Sequence, residues 1–399
     1  MHQRLNLMSP EIRANPYPAY AELRRTAPVA QVDPGGLWAV SRYEDVLHVF
    51  KNPKLYSSEG LRLTADPPWF GRSNPISDSL IFMDDPKVHG RMRGLVNRAL
   101  GPSALSRLEP SIRATAEELT TRVLDRRDVD FVADFALPLP ASVIGALLGL
   151  DPALHSRFKQ WSDDIVALSA TQPGDTALLE QCRRTVAEME QYLGQVLEHR
   201  RQTPGDDMVS DLLRSRVDGE ALTTKELMGF LFLLLVAGLE TTVHLLGHSA
   251  RILAEHPAVL KQLRGDRSLI PQFIEEVLRF EPPVQGTVRL CTQDVTLAGV
   301  SLPRGSPLLV LQGSALRDEH YCADADRFSL ERKGPQNLAF GHGMHFCLGA
   351  ALARVEARVA LEALLARCGT VSLRPEPIEW NFAMTVRGMR NLPLEVLPA

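Results

Sequence analysis

The chain has 399 residues, 45% of them hydrophobic and 23% charged, a balance that excludes a disordered or fibrous protein. A formal net charge of −4 provides no broad attraction to nucleic acid or to an anionic membrane. Five cysteines (Cys182, Cys291, Cys322, Cys347 and Cys368), odd in number and at no zinc-like spacing, speak for a reducing compartment and against a disulfide framework.

The start, Met1 to Leu7, lacks the apolar stretch of a signal peptide or anchor, so a cytoplasmic protein with no membrane anchor is expected. The most apolar run, Met228 to Leu239, is about half of the roughly 20 residues a membrane span requires. No repeat recurs, and no Gly-, Ser- or Pro-rich linker separates two domains.

In chain order, Pro34-Gly35-Gly36 marks a turn before a short apolar strand at Leu37 to Val40. From about Pro86 to Glu255 the pattern is mainly helical, broken by a polar stretch near Thr203 to Gly219 that reads as a surface loop. A long helix starts at Thr223, which forms a capping box with Glu226, and runs to about Glu255, where Pro257 closes it. Its apolar middle requires that it cross the core. A shorter helix near Pro271 to Phe280 stops at Pro282-Pro283. Strands at Val295 to Leu297 and Leu308 to Leu311, a loop to Phe340, a last helix from about Leu348 and a β-like tail follow. The chain is therefore mainly α with a small β portion.

Several segments carry chemistry. In Phe340-Gly341-His342-Gly343-Met344-His345-Phe346-Cys347-Leu348-Gly349, two glycines permit a tight loop and the cysteine sits where a helix begins. Exposed amides and the positive helix end favour a thiolate there. The other four cysteines read as buried and inert. Glu276 and Arg279 lie three apart on one helix face, a spacing that by itself signifies little more than a surface pair. His89 and Arg93, four apart, also share a face. In Ala237-Gly238-Leu239-Glu240-Thr241-Thr242, polar residues interrupt the apolar centre of the long helix, which is costly unless they are satisfied or used. Ala237, Gly238 and Thr241 share a face, and the two small residues leave a groove. A threonine there can also simply bond back to a carbonyl one turn earlier.

The cysteine loop resembles the haem-thiolate signature of the cytochrome P450 family at every specified position. Asn15-Pro16-Tyr17-Pro18 and Arg42-Tyr43-Glu44-Asp45-Val46 extend the likeness over essentially the whole chain. The resemblance implies one P450 catalytic domain over 1–399, with haem b (iron protoporphyrin IX) between the long helix and the cysteine loop. It makes Cys347 the iron ligand, whose electron donation favours O–O cleavage. Phe340, Gly341 and Gly349 would shape the loop against the porphyrin. His89, Arg93, Arg289 and His345 would meet the propionates, since buried carboxylates need cationic donors. Ala237 and Gly238 would leave room for O2, with Glu240 and Thr241 as the acid–alcohol pair. Glu276, Arg279 and Arg327 would lock the loop that presents Cys347. One departure is Ala315-Leu316-Arg317-Asp318-Glu319, where relatives usually carry Asn before the Arg and Pro after the Asp.

The implied reaction is insertion of one oxygen atom into a C–H bond or an alkene of a lipophilic small molecule. By family position its pocket is formed by the 57–80 loop, Phe230, Leu233, Ala237, Val284, Gln285, Thr287, Phe382 and Met384. The general style resembles bacterial enzymes that finish polyketides, terpenoids or steroid-like compounds. Electrons would come from a ferredoxin and its ferredoxin reductase, because the chain carries no second cofactor motif, and a monomer is expected. Arg91, Arg98, Arg107, Arg113, Arg354 and Arg358 would attract that acidic partner if they share a face. Two other readings differ in class. A peroxide-using or isomerising haem-thiolate enzyme generally lacks the acid–alcohol pair, and a non-catalytic haem-binding module needs an output surface. Substrate-linked NAD(P)H consumption with a ferredoxin system separates the three.

Overall fold

A computed structural model describes residues 4–216 and 219–399, apart from the side chains of Arg98, Ala99 and Ser103. Its strands are β1 (Val29–Val32), β2 (Leu37–Val40), β3 (Tyr56–Ser57), β4 (Asp128–Asp130), β5 (Thr287–Cys291), β6 (Val295–Leu297), β7 (Val300–Leu302), β8 (Pro307–Val310), β9 (Cys368–Leu373) and β10 (Pro393–Pro398). They form a five-stranded sheet in the order β1-β2-β8-β5-β3, a three-stranded sheet β4-β10-β9 and a β6-β7 hairpin. Helices and irregular segments make up the rest, around one large core cluster.

The long helix spans Thr224–Glu255, 32 residues, about 48 Å at 1.5 Å per residue. Thr223 and Glu226 close the expected capping box: the Glu226 amide donates to Thr223 Oγ1, and the Thr223 amide donates to the Glu226 carboxylate. By length and composition this helix would cross a membrane, but 83% of its most apolar window is buried inside the protein. Its hydropathy is that of a core element, packed against the helices Pro138–Leu148 and His155–Ala167 and the segment Pro75–Asp78. The stretch read as a loop at 203–219 contains a helix, Met208–Arg214, whose N-cap Asp207 accepts from the Ser210 amide. Its single apolar turn is too short to announce itself by periodicity.

Two buried ionic junctions tie distant segments together. In the first, the Glu276 carboxylate accepts from Arg279 Nε at 2.7 Å and Nη2 at 2.9 Å. The third member is Arg332, not Arg327: Arg332 Nε donates to Glu276 Oε1 at 3.0 Å, and the Ser329 amide adds a bond of 2.9 Å. Arg327 contributes only its carbonyl, which accepts from both Arg279 and Arg332, while the residue itself is exposed. Two more turns of chain let Arg332 fold back where Arg327 points to solvent. In the second junction, Glu281 accepts from Tyr17, Arg251, Arg317 and Arg387. Arg317 also stacks 3.3 Å above the Tyr17 ring and donates to the Phe280 carbonyl, so the unusual 315–319 segment is firmly held.

Glu276→Ala is expected to cost about 3–5 kcal/mol, the penalty of orphaning a buried charge. Arg332→Ala should lower the melting temperature clearly, while Arg327→Ala stays near wild type; equal effects of the two would reverse the assignment. Burial would raise the pKa of Glu281, but its arginines, Arg387 foremost, hold it down to about 2 from an ordinary 4.5. The stability this contributes is complete above about pH 4.5 and fades as pH falls toward 2. Glu281→Gln should melt earlier at pH 7 and show a shallower loss of stability on acidification, measured by thermal unfolding across pH 3–7.

Candidate active site

The cysteine loop is built as its glycines dictate. Gly341 and Gly343 both adopt φ +73°, a region side chains avoid, and a Cβ at Gly343 would press on the Phe50 carbonyl at 3.3 Å. The Cys347 amide donates to the Phe340 carbonyl at 2.9 Å, closing the loop just before the helix Ala350–Arg367. The loop's flanks are pinned by Tyr43 to the Gln336 carbonyl, Asn337 to the Glu275 carbonyl and Gln312 to the Leu338 carbonyl. Arg354 lies 4.5 Å above the Phe340 ring. The Cys347 sulfur opens onto a cavity and is otherwise enclosed by protein. Burial pushes its thiol up; the amides of Gly349 and Ala350 and the charges of Arg93 and Arg354 act against that push.

The cavity encloses about 350 Å³ and is mostly apolar. The long helix forms one wall with Leu233, Val236, Ala237, Glu240 and Thr241. The β5 strand contributes Thr287 and Arg289, two apart and so on one face of the sheet. An isolated bridge joins Val284 to Val386, and both lie in the wall. Leu61, Thr64, Ala65 and Ile76 come from the 57–80 segment.

Four residues expected in the pocket lie outside its wall. Phe230 is wholly buried in the core, one turn before the cavity begins. The Gln285 side chain turns away to the Pro282 carbonyl and the Tyr17 hydroxyl. Phe382 is 45% exposed beneath the Arg13 guanidinium, and Met384 packs on the small cluster around Tyr17 and Tyr20. Thr385 and Val386, the next residues along, take the wall positions instead. The sequence reading also omitted Ile165, Val166 and Ser169 of the helix His155–Ala167 and its following turn. Only their apolar spacing within that helix hinted at them. Gly238 serves helix packing: a Cβ there would meet Ile144 at 2.6 Å.

Cationic groups gather at the cavity's edge near the sulfur. Arg289 is buried and donates only to the Thr287 hydroxyl and the Val288 carbonyl; no carboxylate pairs with it among the described residues. Burial lowers it to about 10. His89 is buried with Nε2 unpartnered, lowered to about 4 by burial and by the neighbouring His345 and Arg93. His345 stands edge-on to it at 4.9 Å, its Nε2 3.4 Å from Asp84 but not aligned for a hydrogen bond. Arg93 instead braces the loop, donating to the carbonyls of Met344 at 3.0 Å and Phe346 at 2.8 Å. A buried arginine with no carboxylate and a buried His89 Nε2 with no hydrogen-bond partner among the described residues, beside an open cysteine sulfur, fit a flat apolar group bearing carboxylates and a metal.

Across the cavity, the Thr241 hydroxyl donates to the Ala237 carbonyl at 2.7 Å, leaving its oxygen lone pairs free. Glu240, 1% exposed, accepts from Lys159 Nζ at 3.2 Å and lies 2.7 Å from His244 Nε2. Burial would raise its pKa, but His244 and Lys159 hold it down to about 2.

The arginines expected to form a free positive face are largely spent. Arg91 pairs with Glu226, Arg113 and Arg358 each with Glu109 and Glu362, and Arg354 with Glu275. The Arg98 side chain lies outside the described residues.

Residues 15–387 match the family profile described as cytochrome P450. The cyclomarin C epoxidase CymV of Salinispora arenicola is 38% identical over 356 residues, 89% of this chain and 89% of that protein. The structure of cytochrome P450 CYP109Q5 from Chondromyces apiculatus superposes with a TM-score of 0.90 at 38% identity, covering 100% of both chains. That of CYP109E1 from Bacillus megaterium in complex with testosterone gives 0.89 at 36% identity, over 97% of this chain and 99% of that one. With a sulfur presented this way beneath the long helix, and with such relatives along its full length, the chain belongs to the cytochrome P450 family of haem-binding monooxygenases.

Proposed function

We propose that this protein hydroxylates or epoxidises a lipophilic small molecule of steroid, terpenoid or polyketide type, as one catalytic domain over 1–399. The observation that carries the reading is the Cys347 sulfur facing an apolar cavity across from Ala237 and Thr241, with Arg289, which pairs with no carboxylate among the described residues, in its wall. Cys347 would hold the iron of haem b, and Arg289, His345 and His89 its carboxylates, while Arg93 fixes the loop from behind. The haem, when bound, supplies the reductive activation of O2; one oxygen atom enters the substrate and the other leaves as water, with two protons and two electrons consumed.

The chain's own residues do the rest. Leu233, Val236, Ile165 and Val386 exclude water and position an apolar substrate. Ala237 leaves space beside Thr241, whose hydroxyl can accept and donate, and Glu240 connects the cavity to Lys159 behind it. This retained acid–alcohol pair favours O2 chemistry over peroxide use. The relative that binds testosterone and the relative named as an epoxidase support the substrate class. Electrons would arrive from a separate ferredoxin and ferredoxin reductase, with the enzyme a cytoplasmic monomer. Because four of the proximal arginines are already paired, its docking would depend less on salt than a row of free cations would.

Cys347→His should abolish the red-shifted Soret band of the ferrous–CO complex; a mutant that kept the band would remove Cys347 as ligand. A spin-state screen across lipophilic scaffolds, beginning with testosterone, should identify a substrate. With it, Thr241→Ala should retain the ferrous–CO spectrum and continue to consume NADPH, while most electrons leave as hydrogen peroxide. Glu240→Ala should slow turnover about 100-fold, the scale of one lost proton-transfer group. Full coupling in Thr241→Ala would reduce that residue to a threonine bonded to its own helix.

A further inference from the structure

His244 lies one turn beyond Glu240 on the long helix and is 1% exposed. Among the described residues neither ring nitrogen has an aligned hydrogen-bond partner, and Glu240 Oε1 lies 2.7 Å from Nε2. A buried imidazole left without good partners is costly, so its place needs a reason. On the opposite side the ring is pressed by the Gly388 backbone: a Cβ at Gly388 would fall 1.8 Å from His244 Nδ1. Only glycine fits there, and the contact leaves the imidazole no room to retreat from Glu240.

Gly388 ends a short loop closed on itself. Its amide donates to the Asn381 side chain at 3.0 Å, and the Asn381 amide donates to the Gly388 carbonyl at 3.0 Å. The same loop presents Thr385 and Val386 to the substrate cavity. Further along the helix, His248 Nε2 contacts the Arg387 carbonyl at 3.1 Å, so the two histidines one turn apart both bear on this loop. Glu240 has its second holder on the helix His155–Ala167, where Lys159 binds it and is itself paired with Asp163. Around the loop the remaining charge, Arg387, is committed to Glu281. In this arrangement the cavity acid is clamped from two sides and ionised, a form that has no proton to give.

We propose that His244 is a positioning residue linking the substrate-contacting loop 381–388 to Glu240, so that displacement of the loop by a bound substrate shifts His244 and loosens its hold on the acid. The proposal rests on the monooxygenase reading of the site. It makes proton delivery answer to an occupied cavity through a histidine that touches neither substrate nor haem.

The test reads the Glu240 carboxylate directly in substrate-free holoenzyme. The infrared difference between the ferrous–CO forms of wild type and Glu240→Gln identifies its carboxylate band. His244→Phe removes the polar contact, and Gly388→Ala drives a methyl group into the imidazole; both should shift that band in the same direction. His244→Gln, which can again offer an N–H to Glu240, should return it toward the wild-type position. A band unmoved in both His244→Phe and Gly388→Ala would overturn the proposal. A shift in His244→Phe alone would overturn the link to the loop. Should Gly388→Ala fail to fold, the His244→Phe and His244→Gln pair still decides whether His244 holds the acid, and testosterone added to wild type then reads the loop: a shift supports the link and its absence despite a spin-state change overturns it. Absence of the red-shifted ferrous–CO band in wild type would instead count against the monooxygenase reading itself.

Discussion

The Glu276 carboxylate is shared by Arg279, Arg332 and the Ser329 amide, a buried junction that ties the helix Ile270–Phe280 to the irregular segment leading to the cysteine loop. The Cys347 sulfur opens onto the cavity walled by the long helix, yet the chain reaches it through a long stretch with little regular structure. Nothing in the backbone ladder fixes such a segment. The buried charges do so instead, because separating them inside the protein leaves an ion with neither water nor partner. Arg279 extends the clamp by donating to the carbonyls of Leu316, Ala325 and Arg327, so one guanidinium holds the approach to the loop at three points. From there Asn337 and Gln312 carry the anchoring to the loop itself.

What could be read from the sequence follows from the range over which each signal acts. The capping box, the core-crossing helix and the glycine-bearing loop are local patterns, and each appears where its residues place it. The cysteine's role rested on resemblance, but its position before a helix was visible in the residues alone. The failures share a different cause. Arg327 and Arg332 are both arginines in an irregular segment, and only the tertiary path decides which one turns inward. Met384 and Thr385 are neighbours at a bend, and only the tertiary path decides that the chain turns Thr385 and Val386, and not Met384, to the cavity. Of the polar neighbours of Glu240, His244 stands at the legible spacing of four on the same helix, whereas Lys159 lies 81 positions away and nothing in its own helix marks it as a partner.

Gly238 and Gly388 illustrate how the same residue type enters the site without touching ligand. Each removes a Cβ that would collide, with Ile144 in one case and with His244 in the other. The first lets two core helices approach, which sets the long helix's distance from its neighbour. The second lets a loop rest on a buried ring. Small residues in a functional motif therefore need not all open space for substrate, and of the pair Ala237-Gly238 only Ala237 faces the cavity.

The electrostatics of the cavity divide along the same line. Near the sulfur stand Arg289, paired with no carboxylate among the described residues, and the His89 imidazole, a set that suits a bound carboxylate. On the opposite side Glu240 accepts a hydrogen bond from Lys159 and has His244 Nε2 2.7 Å from its other oxygen. The first arrangement would gain stability from a bound carboxylate, because that group would supply Arg289 with a counter-ion. The second already has its counter-charge in Lys159, so the same ligand would leave it unchanged.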